Sequence, residues 1–175
     1  MKLAWINNKK FKEIRLFSGD YQSDNYYGLN SKSELNECDA LPLISYILDP
    51  EWMDKISKNP NTPIGDLLSI SKERTAFWAV KDERFYYEVI LKKHNQAWEL
   101  YTYGPPSKAQ SDSLSNFYFK KKIQVHEVVD IVNDREFIIY IDNGVIMDLN
   151  HYGRSQLLRD KLLEIIRLTK AGNHF

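Results

Sequence analysis

The chain of 175 residues has one cysteine, Cys38, seven glycines and four histidines. A single cysteine leaves no internal disulfide and no Cys-x-x-Cys pair for metal or redox work. The glycines stand at 19, 28, 65, 104, 144, 153 and 172, no two closer than nine positions. Gly-x-Gly-x-x-Gly and Gly-x-x-x-x-Gly-Lys-Ser/Thr both need paired glycines so that backbone N–H groups can approach phosphate, and neither can be written here. Gly-x-Ser-x-Gly fails for the same reason. P-loop, dinucleotide and nucleophile-elbow chemistries are thereby excluded, and no cofactor is expected. His94, His126, His151 and His174 are too widely spaced for a local zinc pair. Apolar runs are only a few residues long, too short to cross a bilayer. The opening Met-Lys-Leu-Ala-Trp-Ile-Asn-Asn-Lys-Lys lacks the apolar stretch of a signal peptide. The absence of cysteine pairs fits a reducing compartment. A cytoplasmic protein without membrane contact is the resulting expectation.

What is present is ordinary in bulk. Apolar residues make up 43% and charged residues 27%, as in globular proteins, and the length suits one domain over 1–175. Residues 11–17 read as a short strand and 18–37 as a polar, turn-rich excursion. Residues 39–58 read as two short helices. Leu43, Ile44, Ile47 and Leu48 supply the stripe of the first. The second is announced by Asp49-Pro50-Glu51, an N-cap acid, a proline that loses nothing in the first turn, and an acid against the helix dipole. Trp52, Met53 and Ile56 form its buried face.

Residues 75–103 read as an antiparallel meander, followed by a polar loop to Ser115. Residues 116–149 continue the sheet, with Asn116–Lys122 as a strand and Asp142-Asn143-Gly144 as a type I′ hairpin turn. An amphipathic helix over 155–170, capped by Ser155, closes the chain, with Leu158, Leu162, Ile165 and Ile166 on one face. The expected fold is α+β: one largely antiparallel sheet of five to seven strands with helices packed on it. The connections look too short for parallel crossovers.

His126-Glu127-Val128-Val129-Asp130 resembles the zincin His-Glu-x-x-His with its last ligand changed. That motif needs a helix, whereas the β-branched residues here favour a strand. Other chemistry-bearing features are few. Asn116-Phe117-Tyr118-Phe119-Lys120-Lys121-Lys122 interleaves rings with lysines, as single-strand nucleic-acid platforms do, although lysines on a strand alternate faces. Asn150-His151-Tyr152-Gly153-Arg154-Ser155, taken with His126 and Glu127, offers an acid–base set for a metal-free hydrolase or nuclease. A polar loop before a helix explains the same residues.

The formal net charge is zero, yet it is unevenly spread. Residues 1–19 hold five basic residues and one acid, whereas residues 20–66 hold three basic residues and nine acids. In that acidic stretch lies Asp20-Tyr21-Gln22-Ser23-Asp24-Asn25-Tyr26-Tyr27. Tyrosines give rigid contact area at little entropic cost, and neighbouring carboxylates steer a basic partner. Asp20, Tyr21, Asp24, Tyr26, Tyr27, Glu34, Glu37 and Asp39 are therefore the candidate partner interface. The alternative is that the tyrosines tuck onto the sheet while the acids only solvate the loop.

In this character the chain resembles bacterial immunity proteins of contact-dependent and polymorphic toxin systems. The resemblance rests on the acidic zone 20–66 and the tyrosines at 21–27. It implies a cofactor-free, non-enzymatic protein-binding module that neutralises a basic, nuclease-type toxin domain. Single-stranded nucleic-acid binding and a small hydrolase are the alternatives.

Overall fold

A computed structural model describes Tyr27 and residues 37–171. The expected strand at 11–17 and most of the tyrosine-bearing stretch lie outside the described residues. Among the described residues ten strands and three helices form an α+β fold. In chain order they are β1 (Asp39–Leu43), β2 (Ser45–Leu48), α1 (Trp52–Lys58), a 3-10 turn (Ile64–Leu67), β3 (Leu68–Ile70), β4 (Arg74–Lys81), β5 (Arg84–His94) and β6 (Ala97–Gly104). There follow α2 (Lys108–Ser115), a π-helical turn (Asn116–Lys120), β7 (Val125–Asp130), β8 (Arg135–Asp142), β9 (Val145–Leu149), β10 (Ser155–Leu157) and α3 (Leu158–Lys170).

The strands divide between two sheets where the sequence suggested one. The first has the order β1-β4-β5-β6, antiparallel throughout; the second has the order β10-β9-β8-β7-β2-β3. In the second, β2 and β7 run parallel, Ser45 opposite Glu127, contrary to the expectation of no parallel crossover. Everything from α1 to the π-helical turn connects them, which is ample length for a crossover.

One stretch, β1 and β2, belongs to both sheets and changes from one to the other at Ile44, whose carbonyl accepts the Glu127 N–H at 3.0 Å. This crossing corrects the reading of residues 39–48 as a helix. Alternation restarts at Ile44, so the buried positions Ala40, Leu43, Ser45 and Leu48 fall at uneven intervals that imitate a helical stripe. By contrast α1 forms where Asp49-Pro50-Glu51 placed it. The Asp49 carboxylate accepts the Glu51 N–H at 2.8 Å, and Trp52 and Ile56 are buried.

Three layers result. On one face of the six-stranded sheet Leu48, Val128, Phe137 and Ile139 meet Trp52 and Ile56 of α1 and Leu158, Leu162 and Ile165 of α3. On its other face Val125, Tyr140 and Leu149 meet Trp78, Phe85 and Ile90 of the four-stranded sheet. A third cluster, with Cys38, Ala40, Ala79, Tyr87 and Val89, lies on the far face of the four-stranded sheet. The expected C-terminal helix therefore covers a sheet, as its apolar stripe required. It starts at Leu158, because Ser155 is used in β10 and pairs with Leu149.

Residues 107–115, expected as loop, form α2. Ser107 caps it by accepting the Gln110 N–H at 3.1 Å, and Ser111 donates to the Phe85 carbonyl at 2.8 Å. The 150–154 loop lies tightly on α2. Ser113 donates to the Gly153 carbonyl at 2.9 Å, and a Cβ at Gly153 (φ 71°) would stand 2.4 Å from the Ala109 carbonyl oxygen. Only glycine fits there.

Candidate functional site

Of the candidate interface residues, Asp20, Tyr21, Asp24, Tyr26 and Glu34 lie outside the described residues. Tyr27, Glu37 and Asp39 are described, and they gather at one end of the four-stranded sheet. Strands β4 and β5 are joined there by Asp82 and Glu83. Tyr27 lies beneath Arg84, whose Cζ is 4.1 Å from the ring centroid, and its hydroxyl donates to Asp112 at 2.9 Å. Burial and that bond to a carboxylate raise the Tyr27 phenol above its usual range. Glu37 pairs with Lys81 at 2.6 Å. Asp39 stands opposite Val80, one residue from the turn.

The turn itself is strained. Asp82 (φ 49°) and Glu83 (φ 57°) both hold positive φ without a glycine. A two-residue hairpin demands this geometry, and Asn-Gly would meet it more easily. The sequence places these two acids only as the link between two strands of the 75–103 meander. They join Glu37, Asp39 and Asp112, five acids against Lys81, Arg84 and Lys108.

Two members of the acid–base set, His126 and Glu127, are neighbours on β7 and are therefore divided between its two faces. His126 lies on the helix side, edge-on to Tyr46 with ring centroids 5.8 Å apart, and burial pushes its imidazole below the usual range. Asp130 accepts from Trp52 Nε1 at 3.1 Å and from Asn133 Nδ2 at 2.7 Å. Arg154 is exposed on the 150–154 loop.

The ring-and-lysine segment is not the strand expected. Phe117 stacks on Tyr140 at 4.2 Å, and Tyr118 and Phe119 pack on Phe85 at 6.1 and 5.7 Å. The three rings in a row coil into a π-helical turn and stand half-buried against the core, with Lys121 Nζ 5.0 Å from the Phe117 ring centroid.

Between the sheets lies a charged cluster that sequence reading touched only at Glu127. Glu127 is fully buried. It accepts from Ser45 Oγ at 2.6 Å and from Arg74 Nε at 3.1 Å, and it also accepts from Arg74 Nη2. Arg74 Nη2 reaches Glu136 at 2.6 Å as well. Burial alone would lower the Arg74 pKa, but the bonds and attraction of the two carboxylates outweigh it and raise the value. A bulge in β6 re-aims Tyr101 toward this cluster. Leu91 and Ile90 pair with Leu100 and Thr102, so Tyr101 is extra. Its ring carries Lys92 Nζ at 3.2 Å and Arg74 Cζ at 5.6 Å.

Glu88 stands apart from that pairing. Directly across from Trp78 on the same sheet face, it keeps some accessible surface only because it lines a cavity of about 270 Å³ between β5, β6 and the 104–110 stretch. Its Oε1 is sealed and has no hydrogen-bond partner among the described residues, and neither has Trp78 Nε1. Burial, then repulsion from Glu127 and Glu136, pushes the carboxyl up to about 8 against the opposing pull of Arg74. A second hollow of about 450 Å³, lined by Asp148 and Lys161, adjoins it at Gln110, Glu136 and His151. Asp148 is raised to about 6, chiefly by burial.

Compared with known proteins, the chain matches no family model, no curated protein and no solved structure.

Proposed function

We propose that the chain is a non-enzymatic protein-binding module that engages a basic partner with the β4–β5 end of its four-stranded sheet. The observation that carries this is the gathering of Tyr27, Glu37 and Asp39 around Asp82 and Glu83. Five acids face three bases there, and Lys81, Arg84 and Lys108 are already engaged by Glu37 or the Tyr27 ring. The exposed acids of the turn, Asp82 and Glu83, raise the on-rate for a basic protein, while tyrosine supplies contact area. Two non-glycine residues at positive φ cost stability, and such cost concentrates where a surface has work to perform. A basic, nuclease-type toxin domain is the partner this chemistry suits, in the manner of the immunity proteins the chain resembles.

The protein encoded beside this chain's gene is the partner to test, by stopped-flow association at two salt concentrations. Fast association that slows with salt is expected. Replacing Asp82-Glu83 by Asn-Gly should slow association several-fold while stabilising the isolated chain by about 1 kcal/mol. No association, or rates indifferent to the turn's charge, overturns the reading.

A further inference from the structure

Strand β8 has a complete neighbour on one side and half a neighbour on the other. Its register with β7 runs from Arg135 to Tyr140, opposite Asp130 to Val125. Its register with β9 begins only at Ile139, opposite Asp148. Beyond Asp148 the chain leaves β8 for the 150–154 loop that lies on α2. Residues 135–138 therefore have a strand neighbour on the β7 side alone among the described residues. Alternate residues of an antiparallel strand send both N–H and C=O to the same side, so two of these four aim both groups away from β7. A strand inside a six-stranded sheet thus carries a short length of open edge.

The hollow of about 450 Å³ lies along that edge. Arg135, Glu136 and Phe137 form one wall, Leu149 closes one end, and Ile165 and Leu168 of α3 face them. Its size is that of ordinary ligand pockets, and most of its lining is apolar. Alternation fixes what each wall residue faces. Phe137 lies on the α3 side and packs in the helix-facing cluster, Arg135 shares that side, and Glu136 points toward the four-stranded sheet. Leu149 follows Asp148 directly, so the room begins opposite Phe137 and extends past Arg135. Three extended residues span about 10 Å. A compact ligand without peptide groups fills such a space but leaves the strand edge unanswered.

We propose that this notch takes up a short extended segment of a partner protein, which pairs with β8 where β9 does not. The segment runs antiparallel to β8, in line with β9. Main-chain bonds to the open edge supply affinity, and alternate side chains supply specificity. The guest residue opposite Phe137 is apolar and seats on Ile165 and Leu168. The residue opposite Glu136 is basic and the one opposite Arg135 is acidic, since directly opposed unlike charges stabilise a strand pair and like charges destabilise it. The Glu136 side chain, although bonded to Arg74, is 40% exposed and open to a second cation. The notch uses no residue of the β4–β5 rim, so it stands whether or not that rim engages a basic partner.

The full chain, labelled with nitrogen-15, is titrated with acetyl-Ile-Lys-Glu-Gly-amide, whose first three residues fall opposite Phe137, Glu136 and Arg135. Saturable shifts are expected at the backbone amides of residues 135–138, with a dissociation constant of about 1 mM or tighter. The charge-exchanged acetyl-Ile-Glu-Lys-Gly-amide should bind roughly tenfold more weakly. The first peptide with every backbone nitrogen methylated should give no saturable shift, because it cannot donate to the edge. Leu168→Glu, at a half-buried site on α3, should weaken the first peptide severalfold and leave the rest of the spectrum in place. Should that variant fail to fold, Leu168→Ala serves in its stead. Amides 135–138 unmoved up to the solubility limit of the peptide overturn the proposal. Equal shifts with the methylated peptide mean that the hollow takes apolar groups without using the strand edge, which also overturns it. The same amides shifting as the chain alone is concentrated would assign the notch to a second copy and overturn it likewise.

Discussion

The two faces of the six-stranded sheet are built on different terms. Toward α1 and α3 the contacts of its cluster are apolar; Asp130 is met there by Trp52 and Asn133, whereas His126 Nδ1 has no partner among the described residues. Toward the four-stranded sheet, hydrophobic packing shares the layer with Arg74, Glu127, Glu136 and Glu88, and a cavity opens. Apolar burial on the first face stabilises at any pH. The second face holds charges whose burial penalty is met only where partners are complete. The difference teaches that apolar packing dominates one side of β7 and a paired-charge layer the other, although all six residues of the strand are buried.

Three substitutions probe that division. The largest effect is expected from Arg74→Ala, which leaves the fully buried Glu127 with Ser45 alone. A loss of about 3–5 kcal/mol in urea unfolding is expected, since an uncompensated buried charge is costly. A loss below 1 kcal/mol would show that the inter-sheet charges are not a buried network. Next, Leu162→Ala on α3, at a site with no exposure, should cost about 3 kcal/mol by loss of transfer energy and cavity formation. That loss should be the same at pH 5 and pH 8; a pH-dependent loss would blur the distinction between the two faces.

The smallest and sharpest effect is that of Glu88→Gln. The unfolded carboxyl releases its proton near 4.5 and the folded one near 8. Between these values the folded state holds a proton that the unfolded state has lost, so stability falls as pH rises and is flat above 8. The glutamine variant removes that slope. It should match the parent near pH 4.5 and exceed it by about 2 kcal/mol at pH 8.5, after allowance for the water the cavity admits. Parallel stability curves for the two proteins would contradict it. Asp148, displaced to about 6, leaves a residual slope of the same sign at lower pH.

Much of the fold could be read from local chemistry. Asn143-Gly144 turned the chain where a type I′ turn was expected, with φ of 50° and 79°. The β4–β6 meander and the α3 stripe were also plain. The misreadings share a physical cause: tertiary context overrode local pattern. The sheet change at Ile44 disguised two strands as a helix. Helix α2 has almost no apolar stripe, since Gln110 and Ser111 are among its buried residues; Ser107 after two prolines was the cap that announced it. The charged layer was hardest to see. Arg74, Glu88 and Glu136 each sit at an inward position of their strand, and only the pairing of two sheets reveals which positions face inward together. Charged residues in phase with Ala76, Trp78 and Ile90 were the available clue.

The joint at Ile44 also bears on how the chain assembles. Ser45 and Glu127, which close the parallel pairing, are separated by 82 positions in sequence. So long a loop is entropically slow to close, and little local structure repays that closure before the strands on both sides exist. The hairpins β4–β5–β6 and β8–β9 can form early on their own turns. The stretch through β1 and β2 can be seated only once both sheets offer it an edge. It therefore acts as a seam sewn last, and because it belongs to both sheets, neither can come apart without opening the other.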